Sequence, residues 1–217
     1  MEIVMTRSAE RTSTTQVRRD DGVTLELPSH APFHRLPHDL AHFVVERALG
    51  LACGFWGSIS AGAVFGGMQV VPRRRTVGAA ERSRKLMKYA GSQITEAEAL
   101  VGTVVDIYQR RLDRDWPTAR ALLGGTWRPA RPSRKLPTQT EIRRICEALA
   151  EAEKRWLDLA TGESLTLHWP QQQANVRRAS PQRSVAEQRI SPDGRARLRS
   201  PARQVKCERS AAGGPND

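Results

Sequence analysis

The segment Pro37-His38-Asp39-Leu40-Ala41-His42-Phe43-Val44-Val45-Glu46, followed by Arg47-Ala48-Leu49-Gly50, is where the chain changes from strand patterns to helix patterns. Pro37 suits the first turn of a helix and Gly50 suits its C-cap, so the segment predicts a helix that ends near Leu49. His38 and His42 would occupy neighbouring turns of that helix, with Glu46 one turn further along. This spacing is typical of a metal or acid/base site, and equally of polar residues beside an apolar face.

Short β-branched segments precede this helix. Residues 2–7 and 12–18 predict strands, a turn follows at Asp20-Asp21-Gly22, and 23–27 alternates apolar with polar residues. Residues 28–37 contain three prolines and predict irregular structure. We expect a short strand near 68–71, and a last strand at 163–169 that joins the N-terminal meander.

Helical patterns fill most of the middle of the chain. We predict helices over 79–90, 96–112, 117–123 and 139–160, with a linker at 124–137. Thr95-Glu96-Ala97-Glu98 and Thr138-Gln139-Thr140-Glu141 both match the capping box that begins a helix. The predicted fold is therefore α+β, a small antiparallel sheet packed by three to five helices.

Charge and composition divide the chain near Pro170. Residues 1–170 predict a single α+β domain, and 171–217 predict a disordered, arginine-rich tail with ten basic and four acidic residues. The net charge of +12 favours acidic partners such as nucleic acid. However, 30 of the 35 basic residues are arginine, which is also typical of a GC-rich genome.

The cysteine pattern and the N-terminus indicate a cytoplasmic protein. Three widely spaced cysteines without a CxxC pair argue against a disulfide framework or a zinc ribbon and fit a reducing compartment. The N-terminus lacks the pattern of a signal peptide. Residues 48–72 carry no charge, but six glycines interrupt them, which argues against a membrane span.

Four of the five histidines recur every four residues, at His30, His34, His38 and His42. Pro32 and Pro37 prevent one continuous helix through all of them, so only His38 and His42 share a helix. Two histidines at this spacing can bind one divalent metal such as zinc. We expect the third ligand to be His34, folding back from the loop; His168 and Asp106 are alternatives.

The order His-Asp-x-x-His resembles, over five residues, the His-Glu-x-x-His helix of zincin metalloproteases. That resemblance implies a general base at Asp39, whose side chain is one methylene shorter than glutamate; Glu46 is the alternative base. Histidines at the border of an apolar stripe also pack and hydrogen-bond without any metal, so both interpretations stay open.

Two further segments are candidate binding surfaces. Phe55-Trp56 lies between glycines, as an aromatic platform for a partner or as the core anchor of a tight turn. Arg73, Arg74 and Arg75 open a basic segment, 73–88, that would suit phosphate groups.

Leu36-Pro37-His38-Asp39-Leu40-x-His42-Phe43-x-x-Glu46, followed by Gly54-Phe55-Trp56-Gly57 and the closing Leu165-x-Leu167-x-Trp169-Pro170, resembles an uncharacterised family of small actinobacterial proteins. The resemblance covers roughly residues 1–170. It implies a bacterial cytoplasmic setting and no mechanism.

Three functions compete on this evidence. The sequence favours a non-enzymatic binding or regulatory module that meets a protein partner near His38, His42 and Trp56. The alternatives are a metal-dependent hydrolase with a His38/His42 site, and a nucleic-acid-binding protein that uses residues 73–88 and the tail. Whether the protein is an enzyme stays open.

Overall fold

The computed structural model describes residues 1–8, 13–27, 35–71, 78–130 and 135–170. The elements are, in chain order, β1 (Glu2–Arg7), β2 (Ser13–Arg18), β3 (Thr24–Leu27), α1 (His38–Leu49), α2 (Phe55–Ser60), β4 (Gln69–Val71), α3 (Ala79–Gln109), a 3₁₀ turn (Leu112–Arg114), α4 (Trp116–Ala130), α5 (Gln139–Leu157) and β5 (Ser164–His168). Met1–Gln172 groups into one unit. The predicted tail lies outside the described residues, so its disorder stays a prediction.

The five strands form one antiparallel sheet in the order β4-β3-β2-β1-β5. β1 joins the N-terminal meander to the last strand, because it pairs with β2 on one side and with β5 on the other. In β2 the residues alternate strictly between buried and exposed, which is typical of a sheet covered on one face. The predicted α+β fold, with a meander joined by a late strand, is confirmed.

The core lies between the sheet and the helices. Fully buried Ile3, Met5, Val17 and Leu25 from the strands belong to the same apolar cluster as Trp56. Helix α1, which carries His38 and His42, packs against two long helices, α3 and α5. Among the described residues, no helix is both long enough and apolar enough to cross a membrane.

Helix α1 begins and ends as the sequence predicts. Its first residue is His38, directly after Pro37, and Gly50 caps it in the left-handed conformation with φ of 62°. The chain then turns tightly into α2. A Cβ at Gly57 would lie 1.9 Å from the Ala52 carbonyl oxygen, so this turn requires glycine.

The prediction of separate helices over 79–90 and 96–112 is wrong, because α3 is one continuous helix of 31 residues. Thr95 lies in its middle, and its hydroxyl donates to the Gly91 carbonyl one turn earlier, at 3.1 Å. The matched box at Thr138 does cap α5, with Glu141 bonded back to the Thr138 backbone. Glu98 is therefore not a capping residue.

Helix α4 also exceeds its prediction. It runs to Ala130, through Gly124 and Gly125 that we assigned to a linker. It buries Ala119, Leu123 and Trp127, spaced four residues apart, and packs against α3. Packing along this face outweighs the low helix propensity of the two glycines.

The two Thr-x-x-Glu segments provide a matched test of this fold. Thr138→Ala should lower the free energy of unfolding by about 1 kcal/mol, because it removes a helix cap. Thr95→Ala should change it by less than about 0.5 kcal/mol, because alanine is the better helix former within a helix. Urea denaturation of both variants measures the difference. Equal losses would contradict a continuous α3.

Candidate metal centre

His38 and His42 lie side by side on α1. Their ring centroids are 4.4 Å apart, and the ring planes are tilted by 37°. The His38 side chain is 20% exposed, whereas that of His42 is fully buried. The helix therefore presents one imidazole at a surface and holds the second directly behind it.

Each imidazole meets a carboxylate through its Nδ1 atom. His38 Nδ1 lies 3.2 Å from Asp39 Oδ1, and His42 Nδ1 lies 2.9 Å from Glu46 Oε1. The Asp39 carboxylate also accepts a hydrogen bond from the Thr15 hydroxyl of β2, at 3.3 Å. A carboxylate on Nδ1 favours the tautomer with a proton on that atom, which leaves Nε2 as the metal-binding nitrogen.

Glu98 of α3 faces both Nε2 atoms. Its Oε2 atom lies 3.2 Å from His42 Nε2 and 3.8 Å from His38 Nε2. Among the described residues, His42 Nε2 is buried without a partner in hydrogen-bond geometry, although Glu98 is close. The ligand atoms of His38, His42 and Glu98 all lie within 4.8 Å of one another.

These separations match the geometry of a small divalent ion. Ligands about 2.0–2.1 Å from a tetrahedral zinc are roughly 3.4 Å from each other. The two distances from Glu98 Oε2, 3.2 and 3.8 Å, bracket that value. An ion could therefore enter with small side-chain adjustments.

The Glu46 carboxylate joins α1 to the start of α2. It is fully buried and accepts hydrogen bonds from the backbone N–H groups of Phe55, at 2.8 Å, and Trp56, at 3.1 Å, as well as from His42. A Cβ at Gly54 would lie 2.6 Å from Glu46 Cδ. The Gly-Phe-Trp segment thus needs its glycine because the carboxylate occupies that space.

A cavity of about 200 Å³ opens beside the cluster. His38 and Glu98 form its polar end. The remaining lining residues are Phe55, Phe65, Gly66, Met68 and Ile94. A metal held by the cluster would therefore have one side toward a mostly apolar pocket.

The three groups of the cluster strongly change one another's protonation. Burial disfavours the charged form of His38, but interactions with Asp39 and Glu98 outweigh it and raise the pKa of His38 to about 9. Burial likewise opposes protonation of His42, yet Glu46 and Glu98 raise its pKa. The two imidazoles hold the pKa of Glu98 well below its usual range. Without a metal, these pKa shifts favour protonated imidazoles on His38 and His42 beside an ionised Glu98 carboxylate.

The structure places the predicted catalytic and binding residues differently from our expectation. Asp39 and Glu46 are buried and bonded to imidazoles, so neither faces the pocket as a base. Trp56 is fully buried and donates to the Asp39 carbonyl, which makes it a core anchor and not a platform. Phe55 is also buried but lines the pocket.

The other candidates lie away from the cluster or beyond the described residues. His168 is exposed on β5 beside Glu2, and Asp106 pairs with Arg110. His34, Arg73, Arg74 and Arg75 fall outside the described residues. Sequence reasoning missed Glu98 because its Thr-x-x-Glu context matched a capping box. The sequence feature that could have identified Glu98 is its position next to the apolar stripe of α3 that starts at Ala97.

Comparisons with known proteins do not add to this geometry. The chain matches no family model, and no curated protein and no solved structure matches it. The resemblance to a family of small bacterial proteins stays a prediction.

Replacing the buried Glu46 tests how far the centre depends on it. Glu46→Gln keeps the shape but exchanges one acceptor oxygen for a donor, so one buried N–H loses its partner. We expect a loss of about 2–3 kcal/mol in the free energy of unfolding. Glu2→Gln, which removes an exposed ion pair with Arg18, should cost less than about 0.5 kcal/mol. Urea denaturation of both variants measures this, and similar losses would count against the role of Glu46.

The stability of the metal-free protein should fall in mild alkali. The folded-state pKa of His38, about 9, exceeds the unfolded value of about 6.5. Its stabilising contribution is therefore complete below pH ~6.5 and is lost as the pH rises through ~9. We expect the melting temperature, measured with chelator present, to fall by roughly 5 °C over this range. His38→Gln should flatten the profile; an equally steep fall in that variant would refute the assignment.

Proposed function

We propose that the protein is a metal-dependent hydrolase whose zinc ion is bound by His38 Nε2, His42 Nε2 and the Glu98 carboxylate. The observation that most supports this is the convergence of His38, His42 and Glu98 from two different helices, with one ligand atom of each within 4.8 Å of the others and both Nε2 atoms facing the Glu98 carboxylate. Carboxylates on both Nδ1 atoms are the outer-shell arrangement typical of metal-binding histidines.

The ligand set favours a catalytic over a structural ion. Structural zinc sites usually have four protein ligands rich in cysteine, whereas catalytic sites have three and keep one position for water or substrate. The described residues offer three ligands, and the pocket lies on the side of His38 and Glu98. Water bound in that position would meet a substrate in the pocket.

The chemistry follows from the ion and needs no separate base. Held by His38, His42 and Glu98, a zinc ion would supply a bound water whose pKa is lowered to about 7, and so a nucleophile for hydrolysis of a carbonyl compound near neutral pH. In this proposal Asp39 and Glu46 orient the imidazoles, which replaces the role of base that we assigned to them from the sequence.

The two competing functions have less support. The binding module depended partly on an exposed Trp56, and that side chain is buried. The nucleic-acid interpretation depends on residues 73–88 and the tail. Arg82, Arg84, Lys85 and Lys88 are exposed on the first turns of α3, whereas 73–77 and the tail lie outside the described residues. We retain the cytoplasmic location and the bacterial origin as proposals.

Metal binding by the untagged full chain tests the centre. We expect one zinc per chain by elemental analysis and isothermal titration calorimetry. Glu98→Gln should weaken zinc binding by about 10–100-fold or more, because a ligand charge is lost. That side chain is 45% exposed, so the variant should fold normally. Glu81→Gln, on the same helix and in an exposed pair with Lys85, is the matched control.

Hydrolysis is then measured with 4-nitrophenyl acetate. The zinc-loaded protein should hydrolyse it faster than protein treated with chelator, and Glu98→Gln should abolish the difference. The same ligand set also suits ferrous iron. Oxygen consumption with iron, together with no hydrolysis with zinc, would overturn the hydrolase. A lack of stoichiometric metal, or unchanged zinc binding in Glu98→Gln, would overturn the metal centre itself.

A further inference from the structure

The cavity beside the metal cluster indicates a substrate class. Resting on the proposed zinc centre, we infer that the protein acts on compounds with one small, uncharged, apolar group, about the size of a phenyl ring, next to the carbonyl that is attacked. The pocket would hold that group while the carbonyl oxygen approaches the ion.

The walls of the pocket come from three parts of the chain. Phe55, at the start of α2, stacks on Phe65 with ring centroids 5.2 Å apart and an interplanar angle of 27°. Met68 is held against the same loop because its sulfur accepts a hydrogen bond from the Phe65 N–H, at 3.4 Å. Ile94 closes the pocket from α3. Aromatic, thioether and aliphatic surfaces favour an apolar occupant.

The charges around the pocket exclude an ionic occupant. Among the described residues that line it, only His38 and Glu98 are ionisable, and both belong to the metal cluster. A charged group placed against these apolar walls would lose its hydration and find no counter-charge there. That loss is costly, so the pocket selects against it.

The volume sets the size of the group. The cavity is about 200 Å³, and an apolar protein cavity of roughly 150 Å³ accommodates benzene. A phenyl ring therefore fits, with room for the link to the metal-binding carbonyl.

Hydroxamates test this inference because their head group binds zinc while the tail is varied. With the zinc-loaded full chain, benzohydroxamate should bind at least about tenfold more tightly than acetohydroxamate in calorimetric titrations. Adding a carboxylate at the para position of the ring should remove most of that gain, since the pocket offers the new charge no partner.

A glycine in the wall supplies the matched pair of variants. A Cβ at Gly66 would meet nothing within 4 Å, so substitution there need not disturb the fold. Gly66→Leu adds apolar bulk at this exposed, pocket-lining position and should weaken the preference for benzohydroxamate, with zinc affinity unchanged. Gly66→Ala should keep the preference.

The outcomes separate this inference from the function on which it rests. If zinc does not bind, the metal centre fails. If zinc binds but the two hydroxamates bind equally, or if Gly66→Leu keeps the preference for the ring, the centre stands and the apolar specificity is refuted.

Discussion

The buried carboxylate of Glu46 is the contact on which the geometry of this protein most depends. It accepts three hydrogen bonds, from the imidazole of His42 and from the backbone N–H groups of Phe55 and Trp56. An ionised group in the interior is tolerated only when such donors replace its lost hydration. The same carboxylate orients the His42 imidazole and fixes where α2 begins, so the position of α2 and the geometry of the site both depend on Glu46.

That constraint extends to residues that never touch the site. Gly54 must lack a side chain because the Glu46 carboxylate fills the adjacent space, and Gly57 must lack one because the turn brings it onto the Ala52 carbonyl. The Trp56 indole donates to the Asp39 backbone carbonyl, which ties the turn back to the first turn of α1. The glycines and aromatics after α1 therefore support the histidines indirectly.

Competition between protons and a cation follows from the same arrangement. Carboxylates surround both imidazoles, so a balancing positive charge is favoured between them. Burial disfavours the charged form of His42, but Glu46 and Glu98 outweigh it and raise the pKa of His42, which favours a proton on this imidazole in the absence of a metal. A metal ion would displace the protons, which makes its binding dependent on pH.

Local patterns in the chain were sufficient to predict the strands, the helix His38–Leu49 with its glycine cap, and the pairing of His38 with His42, because each depends on neighbours in sequence. The pairing of β4 with β3 was not predicted, because it joins segments that are far apart in the chain. The same local patterns wrongly predicted a helix start at Thr95. A capping box and a Thr-x-x-Glu in the middle of a helix have the same sequence, and only the surrounding packing distinguishes them. Helix α3 packs against α1, and this brings Glu98 to the imidazole of His42, which lies 56 residues earlier in the chain. Only the tertiary structure identified Glu98 as the third candidate ligand, because the spacing of residues within a segment does not show which helices pack together.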